Sequence, residues 1–138
     1  RAPYQCIRAV APGMVRRRRG SIINVTSLGA HRGFPGNPGY VAAKGGLAQL
    51  TRAMAFDLGQ YGIRVNNLAP GYVSTAMTAR SYADPAENAR RSAHTMLGRW
   101  AEPADLVGAA VFLASDASAY VTGIDLPIDG GWLAKGLV

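Results

Sequence analysis

Ser21-Ile22-Ile23-Asn24-Val25-Thr26 is the stretch on which the fold turns. Its β-branched residues Ile22, Ile23, Val25 and Thr26 follow one another with hardly a polar break. Such side chains suit a pleated surface, and a nearly continuous apolar run is what a strand covered on both faces requires. The stretch therefore reads as a buried strand of a parallel sheet. Ser27 falls just past its end, and in open α/β sheets ligands bind outside the carboxyl ends of the strands. Asn24-Val25-Thr26 also fits a glycosylation acceptor, a reading that burial in a strand sets aside.

Upstream, Tyr4 to Val15 has a helical pattern in which Cys6 reads as a small core residue. Arg16-Arg17-Arg18-Arg19 follows, four of the fifteen basic residues behind a net charge of +7. Cations are favoured at a helix C-terminus, and no aromatic residues interleave the run. It reads as a solvated corner, and no nucleic-acid partner is expected.

Downstream, the loop from Leu28 to Gly39 carries four glycines and two prolines and is read as non-helical. It holds His31, which has no second ligand at useful spacing, so no metal site is expected. Tyr40 to Leu58 is a helix by the spacing of Leu47, Leu50, Met54 and Leu58, with small residues for close packing. Ile63 to Ala69 is a second strand, stopped by Pro70-Gly71. Thr75 to Leu97 is polar and broken by Pro85, a partly helical, mobile excursion. Its Met77, Tyr82 and Met96, with Trp100, point to a mixed apolar pocket. Pro103 to Ala114 is a helix with Leu106, Val107, Ala110, Val111 and Leu113 on one face, and Thr122 to Ile128 a third strand ended by Asp129-Gly130-Gly131.

Strand, helix, strand, helix, strand predicts an α/β fold with a parallel sheet. Three strands alone leave the outer edge of the first one bare, and bare edges invite pairing. At 138 residues and 49% hydrophobic the chain has the size and composition of one globular domain. Its longest apolar runs fall far short of a membrane span, so no membrane association is expected. With one cysteine it forms no internal disulfide, which fits a reducing compartment, and a cytoplasmic location is expected.

Tyr40-Val41-Ala42-Ala43-Lys44 carries the chemistry, with Ser27 thirteen residues upstream. Residues i and i+4 are neighbours on a helix, so the Lys44 ammonium lies near the Tyr40 phenol. A nearby cation favours the phenolate and brings proton exchange within reach of neutral pH. A hydroxyl from Ser27 can hold a carbonyl or alcohol oxygen beside that proton donor. Tyr-x-x-x-Lys alone also fits an ordinary surface helix, and the rest of the chain decides between the two. A serine hydrolase built from Ser27 with His31 or His94 lacks the Gly-x-Ser-x-Gly elbow and a placed acid.

The chain resembles the C-terminal half of a short-chain dehydrogenase/reductase of the single-domain type. The likeness rests on Asn24-Val25-Thr26-Ser27, the Ser27-to-Tyr40 spacing, Tyr40-x-x-x-Lys44 and Val65-Asn66-Asn67-Leu68-Ala69-Pro70-Gly71. Gly98-Arg99, Leu113-Ala114-Ser115-Asp116, Val121-Thr122-Gly123 and Asp129-Gly130-Gly131 extend it to the C-terminal segment. The resemblance implies a partial doubly wound, Rossmann-like parallel sheet, the last three strands with flanking helices. Residues 1–138 would form the C-terminal part of one catalytic domain whose dinucleotide-binding half is absent.

It also implies hydride transfer between NAD or NADP and a small-molecule carbonyl or alcohol. In that reaction Tyr40 is the general acid/base and also contacts the coenzyme, and Ser27 orients the substrate oxygen. Lys44 favours the phenolate and binds the nicotinamide ribose, while Pro70, Gly71, Val73 and Thr75 line the nicotinamide. Thr75 to Leu97 would be the substrate lid, and the assembly a homo-oligomer, a dimer or tetramer. The glycine-rich turn that cradles the pyrophosphate and the residue that chooses NAD or NADP are not in this sequence. The alternative is a truncated, non-enzymatic assembly fragment of such a reductase, its bare edge covered by a partner. The last part of the sequence leans towards the sugar-acid, polyol and oxoacyl branches.

Overall fold

Strands β1 (Gly20–Val25), β2 (Ile63–Pro70) and β3 (Asp125–Ile128) form a parallel sheet in the order β1-β2-β3. The computed structural model describes residues 1–136, so Leu137 and Val138, the end of the C-terminal tail, lie outside the described residues. Around the sheet run α1 (Ala2–Arg17), α2 (Pro38–Gly59), α3 (Ala79–Ala83), α4 (Pro85–Ala93) and α5 (Val107–Ala114).

Side chains alternate across a strand, and the alternation decides which helix covers which face. Ile22, Ile63 and Val65 meet Ile7 of α1 and Ala55 of α2 in a core that Met14, Leu50, Met54 and Leu58 extend. Ser21 and Arg64 point the other way. Ser21 Oγ donates to the Leu113 carbonyl at 2.7 Å, and Arg64 Nη2 to the Ser115 carbonyl at 3.0 Å, at the end of α5. Helices thus cover both faces, as a buried parallel sheet requires.

A chain of hydrogen bonds ties α2 to all three strands. Asn24 Nδ2 donates to Thr51 Oγ1 at 2.8 Å, and Thr51 Oγ1 to Asn67 Oδ1 at 2.6 Å. Asn67 Nδ2 in turn donates to Asp125 Oδ1 at 2.7 Å. Arg52 closes the line on the other oxygen of Asp125. Asn24, Thr51 and Asn67 are buried, so each partner satisfies a group that would otherwise be stranded away from water.

The α/β expectation stands, and several boundaries move. Leu28–Ala30 is one turn of 3₁₀ helix within the expected loop, with Ser27 as its cap. Helix α2 starts at Pro38, so Tyr40 lies inside its first turn. Pro85 opens α4 instead of breaking a helix, because Asp84 Oδ1 caps the N–H groups of Ala86 and Glu87 at 2.9 and 3.1 Å. Residues Pro103–Leu106 are 3₁₀, and α5 buries Leu113 while Val107 and Val111 face outward at 58% and 59% exposure. The third strand begins at Asp125, since Gly123 takes a left-handed φ of 76° and interrupts it. Residues before it still dock on β2: Gly123 N–H donates to the Val65 carbonyl at 2.8 Å and Asn66 Nδ2 to the Val121 carbonyl at 2.9 Å. Cys6 is exposed, not core, because α1 turns its neighbour Ile7 inward.

Thr51→Val keeps the shape of the side chain and strands the amides of Asn24 and Asn67. It should lower the unfolding free energy by about 1–3 kcal/mol, read as a lower urea midpoint at unchanged slope. An unmoved midpoint would mean that the hydrogen-bond chain does not seat α2. A second test uses Asp105, which receives Arg99 Nη1 and Nη2 at 2.7 and 3.1 Å and the Glu102 N–H at 2.8 Å. Those bonds, Arg99 first, hold its carboxyl down at about 2 from an ordinary 3.8. The folded state thus binds this proton less readily than the unfolded chain, so the contribution is whole above the ordinary value and lost as pH falls towards about 2. The urea midpoints of the parent and Asp105→Asn should differ near neutral pH and draw together below about pH 4. A gap that stays constant across that range would refute the linkage.

Candidate active site

The carboxyl end of β1 delivers Ser27. Thr26 N–H donates to the Leu68 carbonyl at 2.9 Å, which holds the strand end against β2. Ser27 is extended, and its Oγ accepts the Gly29 N–H at 3.2 Å as the cap of the 3₁₀ turn. That turn reverses the chain towards α2 and Tyr40. A Cβ on Gly29 would lie 3.2 Å from the Tyr40 ring and 3.7 Å from Ser27 Oγ. The two hydroxyl-bearing residues therefore meet around one glycine. One turn along α2, Lys44 Nζ lies 5.7 Å from the centre of the Tyr40 ring and donates to the Val25 carbonyl at 2.9 Å. An ammonium has three N–H groups, so two remain for another acceptor.

Pro70 ends β2, and Gly71, Val73 and Thr75 run on from the same end of the sheet. A Cβ on Gly71 would come within 2.8 Å of Asp129 Cα, so this glycine permits the close approach of the chain leaving β3. Val73 bridges to Ala101. Thr75 N–H donates to Thr78 Oγ1 at 3.0 Å, and Thr78 Oγ1 donates to the Val73 carbonyl at 2.6 Å, which knots the segment into a turn.

A cavity of about 480 Å³ opens here, bounded by Ser27, Tyr40, Gly71, Met77, Arg90 and Arg91 among others. Gly71 reaches it, whereas Lys44, Pro70, Val73 and Thr75 do not line it. A larger concavity of about 780 Å³ lies at the opposite end of the strands, beside Arg19, Gly62 and Tyr120, away from Ser27 and Tyr40.

Leu28, Phe34, Pro35, Tyr72 and Met77 give the cavity an apolar wall, but only Met77 is among the residues expected to line it. Met77 borders the cavity, but Tyr82 and Trp100 pack with each other at 5.4 Å between ring centres, and Met96 lies against Gly131. In their place stand two arginines of α4 that the sequence reading did not single out. Glu87 binds both of them, Arg90 at 2.9 Å and Arg91 at 3.1 Å, and Arg90 foremost holds its carboxyl below the usual carboxylate range. The pairing was visible as charges at i, i+3 and i+4. The side of α4 that turns to the cavity was not.

Gly71→Ala separates two roles for that residue. If the approach of Asp129 is what demands glycine, the added methyl should cost about 1–3 kcal/mol of stability, measured by urea unfolding with no ligand present. Wild-type stability would mean that the close approach is easily relaxed.

Known proteins resemble this chain in sequence and in fold. Residues 1–133 match the family model described as enoyl-(acyl carrier protein) reductase. Gluconate 5-dehydrogenase of Gluconobacter oxydans is 46% identical over 89% of this chain and 48% of its own length. The 5-keto-D-gluconate 5-reductase of Escherichia coli K12 is 42% identical over 96% of this chain and 52% of its own. The crystal structure of a gluconate 5-dehydrogenase from Burkholderia cenocepacia, in complex with NADP and tartrate, superposes with a TM-score of 0.92. It is 39% identical and covers 94% of this chain and 51% of its own. The chain spans about half the length of the curated relatives it matches. A family match over residues 1–133, on a parallel sheet that superposes on solved relatives, makes the chain a member of the short-chain dehydrogenase/reductase family.

Proposed function

We propose that this chain supplies the proton-transfer and substrate-positioning half of an oxidoreductase that moves a hydride between a nicotinamide coenzyme and a carbonyl or alcohol. The observation that carries the reading is the convergence of Ser27 and Tyr40 on Gly29 at the mouth of one cavity, with Lys44 one helical turn away. Tyr40 gives its phenolic proton to the carbonyl oxygen in reduction and takes it back from the alcohol in oxidation. Ser27 Oγ donates to the same oxygen and orients it.

The donor set fits the coenzyme. Lys44 has two N–H groups beyond its bond to Val25, which suits ribose hydroxyls. Pro70 ends β2 and Gly71, Val73 and Thr75 follow it, at the end of the sheet where open α/β folds bind ligands, which supports their lining the nicotinamide. NAD(P), when bound, accepts or delivers the hydride. The relatives named for gluconate and 5-keto-D-gluconate, and the neighbour solved with NADP and tartrate, support a polyhydroxylated substrate and leave NAD and NADP both open to this chain.

The domain reading follows from β1. No described strand pairs with its outer edge, and the remaining strands of one Rossmann-like domain would pair there. Val10 on α1 and Phe56 on α2, the latter 87% exposed, support a homo-oligomer, a dimer or tetramer, built on those helices. A cytoplasmic enzyme fits the single cysteine, and among the described residues no helix is long and apolar enough to cross a membrane. The unpaired edge also supports the second reading, a non-enzymatic assembly fragment whose partner covers β1.

Tyr40→Phe distinguishes the two. For the enzyme, turnover should fall by roughly 10²-fold or more while coenzyme affinity, read by tryptophan fluorescence, stays close to that of the parent. Equal turnover would remove Tyr40 from the reaction. Failure of the parent to bind or use either coenzyme would favour the assembly reading.

A further inference from the structure

We infer that the α4 wall of the cavity is a carboxylate-binding subsite, in which Arg91, backed by Arg90, receives the acid group of a hydroxy-acid or keto-acid substrate. The inference rests on the oxidoreductase reading above and adds to it the chemical class of the substrate and the residue that selects it.

The charges around the cavity are one-sided. Arg90 and Arg91 are its only charged lining residues among those described, and no carboxylate borders it. Glu87 answers both guanidiniums with a single negative charge, which leaves one positive charge in excess. The sharing is unequal. Arg90 meets Glu87 through Nε and Nη2, whereas Arg91 meets it through Nε alone. The two terminal nitrogens of Arg91 make no hydrogen bond to any described residue, although its side chain is only 23% exposed. Those nitrogens are therefore available to an acceptor that enters the cavity.

Arg91 is also held in place. Its guanidinium lies 5.1 Å from the ring centre of Tyr72 and 5.6 Å from that of Trp100, and those two rings pack at 5.4 Å. Stacking on two rings and bonding through Nε fix the guanidinium and leave the terminal nitrogens as a fork. A guanidinium fork matches the two oxygens of a carboxylate, which is the basis of bidentate recognition. Packing alone would explain the stack, but it does not call for the side chain to border the same cavity as Ser27 and Tyr40. A substrate with its carboxylate on Arg91 and a hydroxyl or carbonyl at Tyr40 would span the cavity between the two. Neutral polyols would reach Tyr40 without satisfying Arg91.

Titration of the protein with D-gluconate, D-glucitol and inorganic phosphate, followed by tryptophan emission, tests the subsite without any turnover. Trp100, beneath the Arg91 guanidinium, is the reporter. Gluconate should give a saturable change and bind at least about tenfold more tightly than its neutral counterpart glucitol, with phosphate well behind. Arg91→Gln should weaken gluconate by roughly 10–100-fold and leave glucitol where it was. Arg91→Lys keeps the charge without the fork, and it should also lose affinity for gluconate relative to glucitol. Should the glutamine variant fail to fold by circular dichroism, the lysine variant decides.

Equal affinity for gluconate and glucitol overturns the subsite, and so does phosphate binding as tightly as gluconate. Unchanged gluconate affinity in both variants does the same. Turnover separates this inference from the reading beneath it. If NAD(P)-linked kcat/KM falls equally for gluconate and glucitol in Arg91→Gln, the subsite is wrong and the oxidoreductase reading stands. If the titrations behave as stated and no coenzyme-linked turnover of any substrate occurs, the subsite stands and the oxidoreductase reading falls.

Discussion

Thr51 accepts a hydrogen bond from Asn24 and donates one to Asn67, and through that hydroxyl the helix that carries Tyr40 and Lys44 is locked to the sheet. The buried apolar residues of α2 are small, Ala48 and Ala55, with Leu50, Met54 and Leu58 packed beside the core. Small side chains bring a helix close, but dispersion and burial are non-directional and let it slide or roll. Hydrogen bonds to fixed strand positions do not. Tyr40, Lys44, Ala48, Thr51 and Ala55 follow one another at helical spacing along one stripe of α2. Setting the azimuth of Thr51 therefore sets the direction in which Tyr40 and Lys44 point, three turns and two turns away.

The same logic runs through β2. Asn66 and Asn67 are consecutive, so their side chains leave on opposite faces. Asn67 holds the α2 side through Thr51 and Asp125. Asn66 holds the other side, giving its Nδ2 to the Val121 carbonyl and accepting the Ile124 N–H on Oδ1. Two buried amides in the middle strand thus fix the helix that bears the phenol and the segment that leads into β3. Their cost is met by complete pairing, which is why such residues confer specificity instead of strain. At the end of the strand Gly71 then lets the chain leaving β3 come close enough to close the site.

The segment from Thr75 to Leu97 is organised by aromatic packing and charge. Tyr72, just past Gly71, stacks near Trp100, and Tyr82 meets Trp100 edge to face. Arg91 lies over two of these rings, so α4 is pinned to the strand end by its own cation. A segment that reads as polar and mobile is in this way folded over the cavity, and its cationic face becomes part of the wall. A pocket that looked apolar from its methionines and aromatics is amphipathic, because most of those rings pack on one another.

Much of this was legible in the sequence, for physical reasons that can be named. β-branched runs at Ser21 to Thr26 and Ile63 to Ala69 mark buried strands because pleat and burial leave a local pattern. Tyr40 and Lys44 share a face because 3.6 residues make a turn. Pro38, Asp84 and Pro85 set helix starts by local chemistry too, although the sequence reading leaves Pro38 in a loop and makes Pro85 a break. What the chain order alone could not decide is which faces meet. Cys6 and Ile7 are neighbours in one helix, and only the packing of α1 on β1 turns Ile7 in and Cys6 out. Val107 and Val111 are as apolar as Leu113, yet the sheet receives one face of α5 and leaves the other open. Arg90 and Arg91 have the same composition as any solvated pair, and they become a cavity wall only where Arg91 packs on Tyr72 and Trp100 beside the cavity that Ser27 and Tyr40 also border. Local periodicity and turn chemistry are properties of a few consecutive residues, so the elements, and the placing of Tyr40 and Lys44 on one helical face, could be read from the chain order. Burial and the convergence of side chains are sums over residues far apart in the chain, and those only the tertiary structure decided.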